Sequence, residues 1–150
     1  MKNRRDRDYM KYWRVIRYFV KRKYGINTEE LDMLFFLYSE EYFNVDKFKE
    51  FNSLLGWNKK RFKKLRKEGW IEVVKPYKFG GPKALYGLSF KTGHLNRSIY
   101  DKLEGGPIPT AKSKNPIFLA KASYSDKVYR KAIERMNEAI RQEQCHSLEL

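Results

Sequence analysis

In the stretch Lys59-Lys60-Arg61-Phe62-Lys63-Lys64-Leu65-Arg66-Lys67-Glu68-Gly69-Trp70, seven of the first nine residues are basic and the other two, Phe62 and Leu65, stand three apart. At about 100° per residue this spacing puts Phe62 and Leu65 on one side of a helix. Lys60, Lys63, Lys64 and Lys67 fall on the opposite side, and Arg61 and Arg66 on the flanks. Such a helix anchors inward and presents charge outward. Asn58 is positioned to cap it and Gly69 to end it. Just upstream, Asp46 can cap another short helix whose apolar residues Phe48, Phe51 and Leu54 or Leu55 recur every three or four positions, and Gly56 breaks it. Two short helices joined at Gly56 have the spacing of a helix-turn-helix. Downstream, Trp70–Val74 and Ala84–Phe90 read as strands of a hairpin with a long loop whose tip is Gly80-Gly81-Pro82.

Outward from this centre the chain is mostly helical. Tyr12–Tyr24 carries an apolar stripe with basic residues on the remaining surface, and Gly25 stops it. Asn27-Thr28-Glu29-Glu30 has the form of a capping box for a helix running to about Glu41. Leu31, Met33, Leu34, Phe35, Phe36, Leu37 and Tyr38 make that helix apolar over much of its surface, as a central core helix would be. Tyr42–Val45 reads as a short extended piece. On the far side, a weak helix from about His94 to Leu103 precedes Glu104-Gly105-Gly106-Pro107-Ile108-Pro109, which no helix crosses. A loop of about 20 residues follows. Ser125–Gln144 then forms an amphipathic helix with Val128, Ala132, Ile133, Met136, Ala139 and Ile140 on one face. The expected fold class is mostly α with a small β-hairpin wing (α+β), a winged helix-turn-helix. The expected organisation is a basic flexible arm at 1–11, the winged-helix domain at 12–103, a Gly/Pro-containing loop at 104–124, and a helix with its tail at 125–150.

The chain has 150 residues, 41% of them hydrophobic, enough to close a core of ordinary domain size. Its 33 Lys and Arg against 18 Asp and Glu give a formal charge of +15, which repels itself unless an anion shares the surface. No segment approaches the roughly 20 apolar residues of a membrane span, and the charged N-terminus does not read as a secretory signal. The expected setting is the cytoplasm, associated with the nucleoid, or a virion if a phage encodes the chain. Cys145 has no disulfide partner, and with His146 it offers two metal ligands where a site needs three or four, so no metal is expected. His94 is the other histidine and has no evident catalytic partner. With no conspicuous acid pair and no phosphate-cradling glycine loop, the chain reads as a non-enzyme without cofactor.

Charge and motif together point to duplex DNA. Asn58, Lys59, Lys60, Arg61, Lys63, Lys64, Arg66 and Lys67 on the basic helix, and Lys75, Lys78 and Lys83 around the hairpin, are the expected DNA contacts. Lysine acts as a point charge, whereas Arg and Asn can pair bidentately with base edges, so Asn58, Arg61 and Arg66 are the candidates for base contact. On that basis, losing Arg61 or Arg66 should relax sequence preference, and losing Lys64 should weaken binding to all sequences alike. Trp13, Phe19, Phe35, Phe36, Phe48, Phe51 and Phe62 read as core, whereas Tyr77 and Phe79 in the wing are placed to lie against sugar or base. A transcriptional regulator is the leading expectation, with an architectural or virion protein of little sequence specificity as the alternative. RNA or an acidic protein partner stays open.

The order helix, helix, short strand, helix, turn, basic helix, strand, wing, strand resembles the winged-helix regulators of the MarR family. Lys67-Glu68-Gly69-Trp70-Ile71 is similar to the family's exit from the recognition helix into the wing. Leu88-Ser89-Phe90-Lys91-Thr92-Gly93 resembles the family's Leu-Thr-Pro-Lys-Gly after it. The resemblance covers roughly Tyr12 to Leu103, and it implies a recognition helix at Lys59–Lys67 lying in the major groove. It also implies a homodimer built by the terminal helices, with Val128, Ile133, Met136 and Ile140 as candidate contacts; burial of that stripe on the chain's own core is the equal alternative. The stretch between Gly56 and Gly69 is about one helical turn shorter than the family pattern, and Gly105-Gly106-Pro107-Ile108-Pro109 interrupts the penultimate helix.

Overall fold

A computed structural model of the chain describes residues 8–55 and 59–148. Among these it contains α1 (Tyr9–Tyr24), α2 (Thr28–Tyr38), α3 (Val45–Leu55), α4 (Lys59–Lys67), β1 (Ile71–Lys75), β2 (Leu85–Leu88), α5 (Phe90–Leu103) and α6 (Tyr124–Leu148). The protein is mostly helical with one small antiparallel sheet. It divides into two compact units, residues 27–97 and the remainder, so α1 belongs with α6. None of the helices described is long and apolar enough to cross a membrane.

In the 27–97 unit, local signals set most boundaries. Asn27 caps α2, its side chain accepting the Glu30 N–H at 2.8 Å. The reciprocal bond differs from a standard capping box, because the Asn27 amide donates to the Glu30 carboxylate at 2.9 Å. The helix ends at Tyr38, earlier than the expected Glu41, and its apolar surface is not all inside: Leu31, Met33, Leu34 and Leu37 are buried, but Phe36 and Tyr38 are exposed. Asn44, not Asp46, caps α3, accepting the Lys47 N–H at 3.0 Å. Leu54 is exposed. The Phe51 side chain and the expected break at Gly56 lie outside the described residues.

The C-terminus of α4 is closed by a pair of bonds, Gly69 N–H to Arg66 carbonyl at 3.1 Å and Trp70 N–H to Leu65 carbonyl at 2.9 Å. This Schellman arrangement needs a left-handed residue, and Gly69 supplies it with φ of 84°. β1 pairs with β2 antiparallel, Ile71 opposite Leu88 and Val73 opposite Tyr86, and a bulge at Val74 shifts the register so that Lys75 faces Leu85. Phe43 adds a bridge on the other edge of β2, exchanging two backbone bonds with Tyr86 at 2.9 and 2.7 Å. The extended piece expected near Tyr42–Val45 thus becomes the third lane of the sheet. β1 starts one residue later than expected, and Val73 and Val74 stay partly exposed. β2 stops at Leu88. Ser89 accepts the Thr92 N–H, and the Thr92 hydroxyl donates to the Trp70 carbonyl at 2.7 Å, so α5 begins at Phe90, four residues before the expected start.

In the other unit α1 starts at Tyr9 because Asp8 caps it, so residues 9–11 of the expected flexible arm are helical; residues 1–7 lie outside the description. Ser123 and Asp126 open α6 as a reciprocal box, one residue before the expected Ser125. Asp126 is buried and receives Arg22 through two bonds of 3.0 Å and the Tyr18 hydroxyl at 2.6 Å. Tyr18 also stacks on Tyr129 with ring centroids 3.8 Å apart. The expected loop at 104–124 is pinned along α6. Asn137 exchanges two 2.9 Å bonds with the backbone of Ile108, Arg130 donates to the carbonyls of Ile117 and Leu119, and a 3₁₀ turn forms at Pro116–Phe118. Ile133, Met136 and Ile140 are buried by this packing, whereas Val128 is exposed. Of the two alternatives for this stripe, burial on the chain's own core holds for Ile133, Met136 and Ile140, so a dimer seam made by all four is corrected.

Candidate nucleic-acid interface

The basic helix α4 is fixed by its two apolar residues. Phe62 sits edge-on to Phe48 of α3 at 4.7 Å and to Tyr86 of β2 at 5.0 Å, and Leu65 is fully buried. With that face locked inward, Lys60, Lys63 and Lys67 stand exposed on the outer face, as the spacing requires. Asn58 lies outside the described residues, and Lys59 is described only as the first residue of α4.

The remaining basic residues do not act alike. Lys64 turns to the N-terminus of α2 and donates to Glu30 at 2.8 Å; Glu30 is only 2% exposed, and Glu68 lies 3.9 Å away on the other side. The hydrogen bond to Glu30 holds the Lys64 pKa above that of a free lysine. Arg61 is paired with Glu29. Arg66 lies over the Tyr86 ring at 5.1 Å. Lys83 donates to both carboxylate oxygens of Asp46 at 2.7 Å, a bond that also holds the Asp46 pKa below its ordinary value. These pairs join α2 to α4 and the hairpin to the first turn of α3. Of the eleven expected contacts, three are thus engaged in ion pairs within the chain. Arg61, Lys64 and Lys83 each pair with an acid on another element, and Lys64 in particular differs from a simple phosphate contact, because its ammonium neutralises a buried carboxylate.

The other basic residues lie on α4 and on the hairpin that follows it. Lys63, Arg66 and Lys67 of α4 line a groove of about 530 Å3 together with Ile71, Glu72 and Val73 of β1 and with Gly69 and Ser89. Lys75 at the end of β1 and Lys78 in the hairpin loop are both exposed. No carboxylate lies within ion-pair distance of Lys60, Lys63, Lys67, Lys75 or Lys78 among the described residues. Glu72 is the acidic residue of the groove lining. At the helix end Lys91 donates to the Glu68 carbonyl at 3.0 Å and sits 3.9 Å above the Trp70 ring. It thereby satisfies a terminal carbonyl with a cation, where the helix dipole favours one.

The helix is electrostatically costly on its own terms. Its first turn has no acidic residue, although the positive end of the dipole lies there, and Lys60–Lys64 and Lys63–Lys67 are like-charged neighbours at four-residue spacing. An anion seated on the outer face relieves this repulsion. No group of three His, Cys, Asp or Glu side chains among the described residues is placed to hold a metal. His94 is exposed and packs edge-on against Phe90 at 4.6 Å, and Cys145 is exposed. Comparison with protein-family models, with curated proteins and with solved structures finds no match.

Proposed function

We propose that this protein is a winged-helix DNA-binding protein that grips the phosphate backbone of a duplex with α4 and the β1–β2 hairpin, with little dependence on base sequence. The observation that carries this reading is the set of five exposed lysines on α4 and the hairpin, Lys60, Lys63, Lys67, Lys75 and Lys78, which have no acidic partner among the described residues while neighbouring cations are neutralised. A helix facing outward beside a basic hairpin has the layout of a reading helix and wing, with Phe43, β2 and β1 as the small sheet behind it. Lysine-dominated contact favours holding over reading, because the two arginines of α4 are engaged with Glu29 and Tyr86. The protein then acts as an architectural or packaging component.

The test is binding to a random-sequence duplex by fluorescence anisotropy across a range of salt. Five phosphate contacts give log K against log salt a slope of about −4 to −5. No binding at low salt refutes the proposal. A regulator is the second reading, favoured by Arg66, an exposed groove-lining arginine that would have to leave the Tyr86 ring to pair with a base edge. Binding to the DNA upstream of its own gene about a hundredfold tighter than to random duplex decides for it.

A further inference from the structure

The tip of the hairpin carries a side chain that none of these contacts uses. The Gly81 N–H donates to the Lys78 carbonyl at 2.8 Å, closing a turn whose central residues are Phe79 and Gly80, and Gly80 has φ of 72°. A positive φ at the third place of such a turn favours Gly there. A Cβ on Gly81 would stand 3.2 Å from the Lys78 carbonyl oxygen, so the second glycine lets the turn close tightly. The result is a Phe79 side chain that is 100% exposed. Pro76 and Pro82 stiffen the two shoulders of the loop, and the Lys83–Asp46 pair fixes its root.

A single exposed apolar residue is unremarked on an ordinary surface. This one stands at the apex of a projecting, braced loop, flanked by the exposed Lys75, Tyr77 and Lys78. Lysines beside it draw the tip to phosphates, and a flat ring next to phosphates has the base stack as its apolar surface.

We propose that Phe79 is a wedge that enters the base stack of duplex DNA from the minor groove and kinks it, while Lys75 and Lys78 hold the adjoining phosphates. This rests on the duplex-binding reading and deepens it. Unstacking is least costly at pyrimidine–purine steps, so the wedge selects for deformability and not for base edges, in keeping with a lysine-dominated grip.

The experiment uses the full chain and a duplex of about 30 base pairs. The duplex carries 2-aminopurine beside a central TA step and a donor and acceptor dye at its ends. Wild type should raise the 2-aminopurine emission and the energy transfer between the ends. Phe79→Ala should lose both signals and bind about tenfold more weakly, with an unchanged salt slope, since one stacked ring and no phosphate contact is lost. Phe79→Trp should keep both. Because the ring touches no core, the melting midpoint of Phe79→Ala should equal that of wild type. Binding by Phe79→Ala with wild-type emission and bend overturns the wedge and leaves duplex binding standing. A Phe79→Ala defect larger on single strands than on duplex also overturns it, in favour of stacking on unpaired bases. Absence of duplex binding by wild type overturns both readings.

Discussion

Lys63 and Lys64 are neighbours in sequence, but Lys64 pairs with Glu30 whereas Lys63 has no acidic partner among the described residues, so on the proposed function replacing each by Met should move stability in opposite directions and only the Lys63 variant should lose binding. Lys64 neutralises Glu30, which is 2% exposed. Removing one partner of a fully buried pair costs about 3–5 kcal/mol. Here Lys64 is itself 44% exposed, and the Asn27 amide still reaches the same Glu30 oxygen. Halving the figure for water access gives a loss of about 2 kcal/mol for Lys64→Met. For a chain of this size that lowers the melting midpoint by roughly 4–8 °C. Lys63→Met removes a like-charge neighbour of Lys67 and should gain a few tenths of a kcal/mol. On DNA the order reverses: Lys63→Met should make the salt slope shallower by about one and weaken every sequence alike, and Lys64→Met should leave the slope nearly unchanged.

Urea unfolding and salt-dependent anisotropy on the two variants measure both effects. Glu30→Gln added to Lys64→Met should restore at least half of the lost stability, since no buried charge is then left alone. The pH dependence has a definite sign. Glu30 raises the Lys64 pKa, so the contribution of the pair is present in full below the pKa of a free lysine and disappears only as pH rises through the raised value. The stability gap between wild type and Lys64→Met should therefore be flat from about pH 6 to about pH 9. A Lys64→Met protein of wild-type stability whose slope has fallen by about one would refute the reasoning, because the ammonium would then belong to the phosphate site.

Gly69→Ala should cost about 1–2 kcal/mol in urea unfolding, because it forces a side chain into the left-handed position that closes α4. Glu72→Gln removes a carboxylate from the groove and should tighten duplex binding several-fold at low salt, with the gain vanishing at high salt. Asp126→Asn should weaken the acid-side dependence of stability, leaving the part that Asp46 contributes. Burial raises the Asp126 pKa, but the bonds from Tyr18, Arg22 and the Ser123 N–H outweigh it and the net value is lowered, so the stability is present above the ordinary Asp pKa and lost as pH falls through the lowered one. The check is a comparison of wild-type and variant midpoints between about pH 5 and about pH 2. Deleting residues 2–7, with Lys2, Arg4, Arg5 and Arg7, should make the salt slope shallower in the same anisotropy assay.

The parts legible in the sequence were those set by neighbours in the chain. Phe62 and Leu65 stand three apart and orient α4; Asn27 caps α2; Gly69 ends α4; Gly80 and Gly81 turn the hairpin. The parts that were not legible depend on residues far away. Glu30 reaches Lys64 across 34 positions and Asp46 reaches Lys83 across 37. Nothing in a local window separates a lysine that closes such a pair from one that faces solvent. Phe36 and Tyr38 failed for another reason: α2 is apolar on several sides, so periodicity could not say which side would stay open. The ordering of 104–124 was hidden because its anchors, Arg130 and Asn137, are polar residues on α6 that an apolar stripe ignores. Ser123 and Asp126 did carry a signal, since a Ser followed three residues later by an acid is a capping box.

Charge neutralisation also sorts structure from function without any sequence motif. A protein gains stability by pairing its cations, and four-residue like-charge spacing on a helix lowers it. In the 27–97 unit, 14 basic residues meet 9 acidic ones, and three of those acids, Glu29, Glu30 and Asp46, are bonded to Arg61, Lys64 and Lys83. They tie elements together and leave Lys60, Lys63 and Lys67 in a row. Were those three only a solvated face, moving a carboxylate to any adjoining exposed position would improve stability with no loss. Their repulsion is therefore the feature to perturb: Lys60→Glu should raise the melting midpoint, by placing an acid at the positive end of α4, and should weaken duplex binding by more than the loss of one contact. A variant more stable than wild type and still binding at full strength would mean that the row is a solvated face after all.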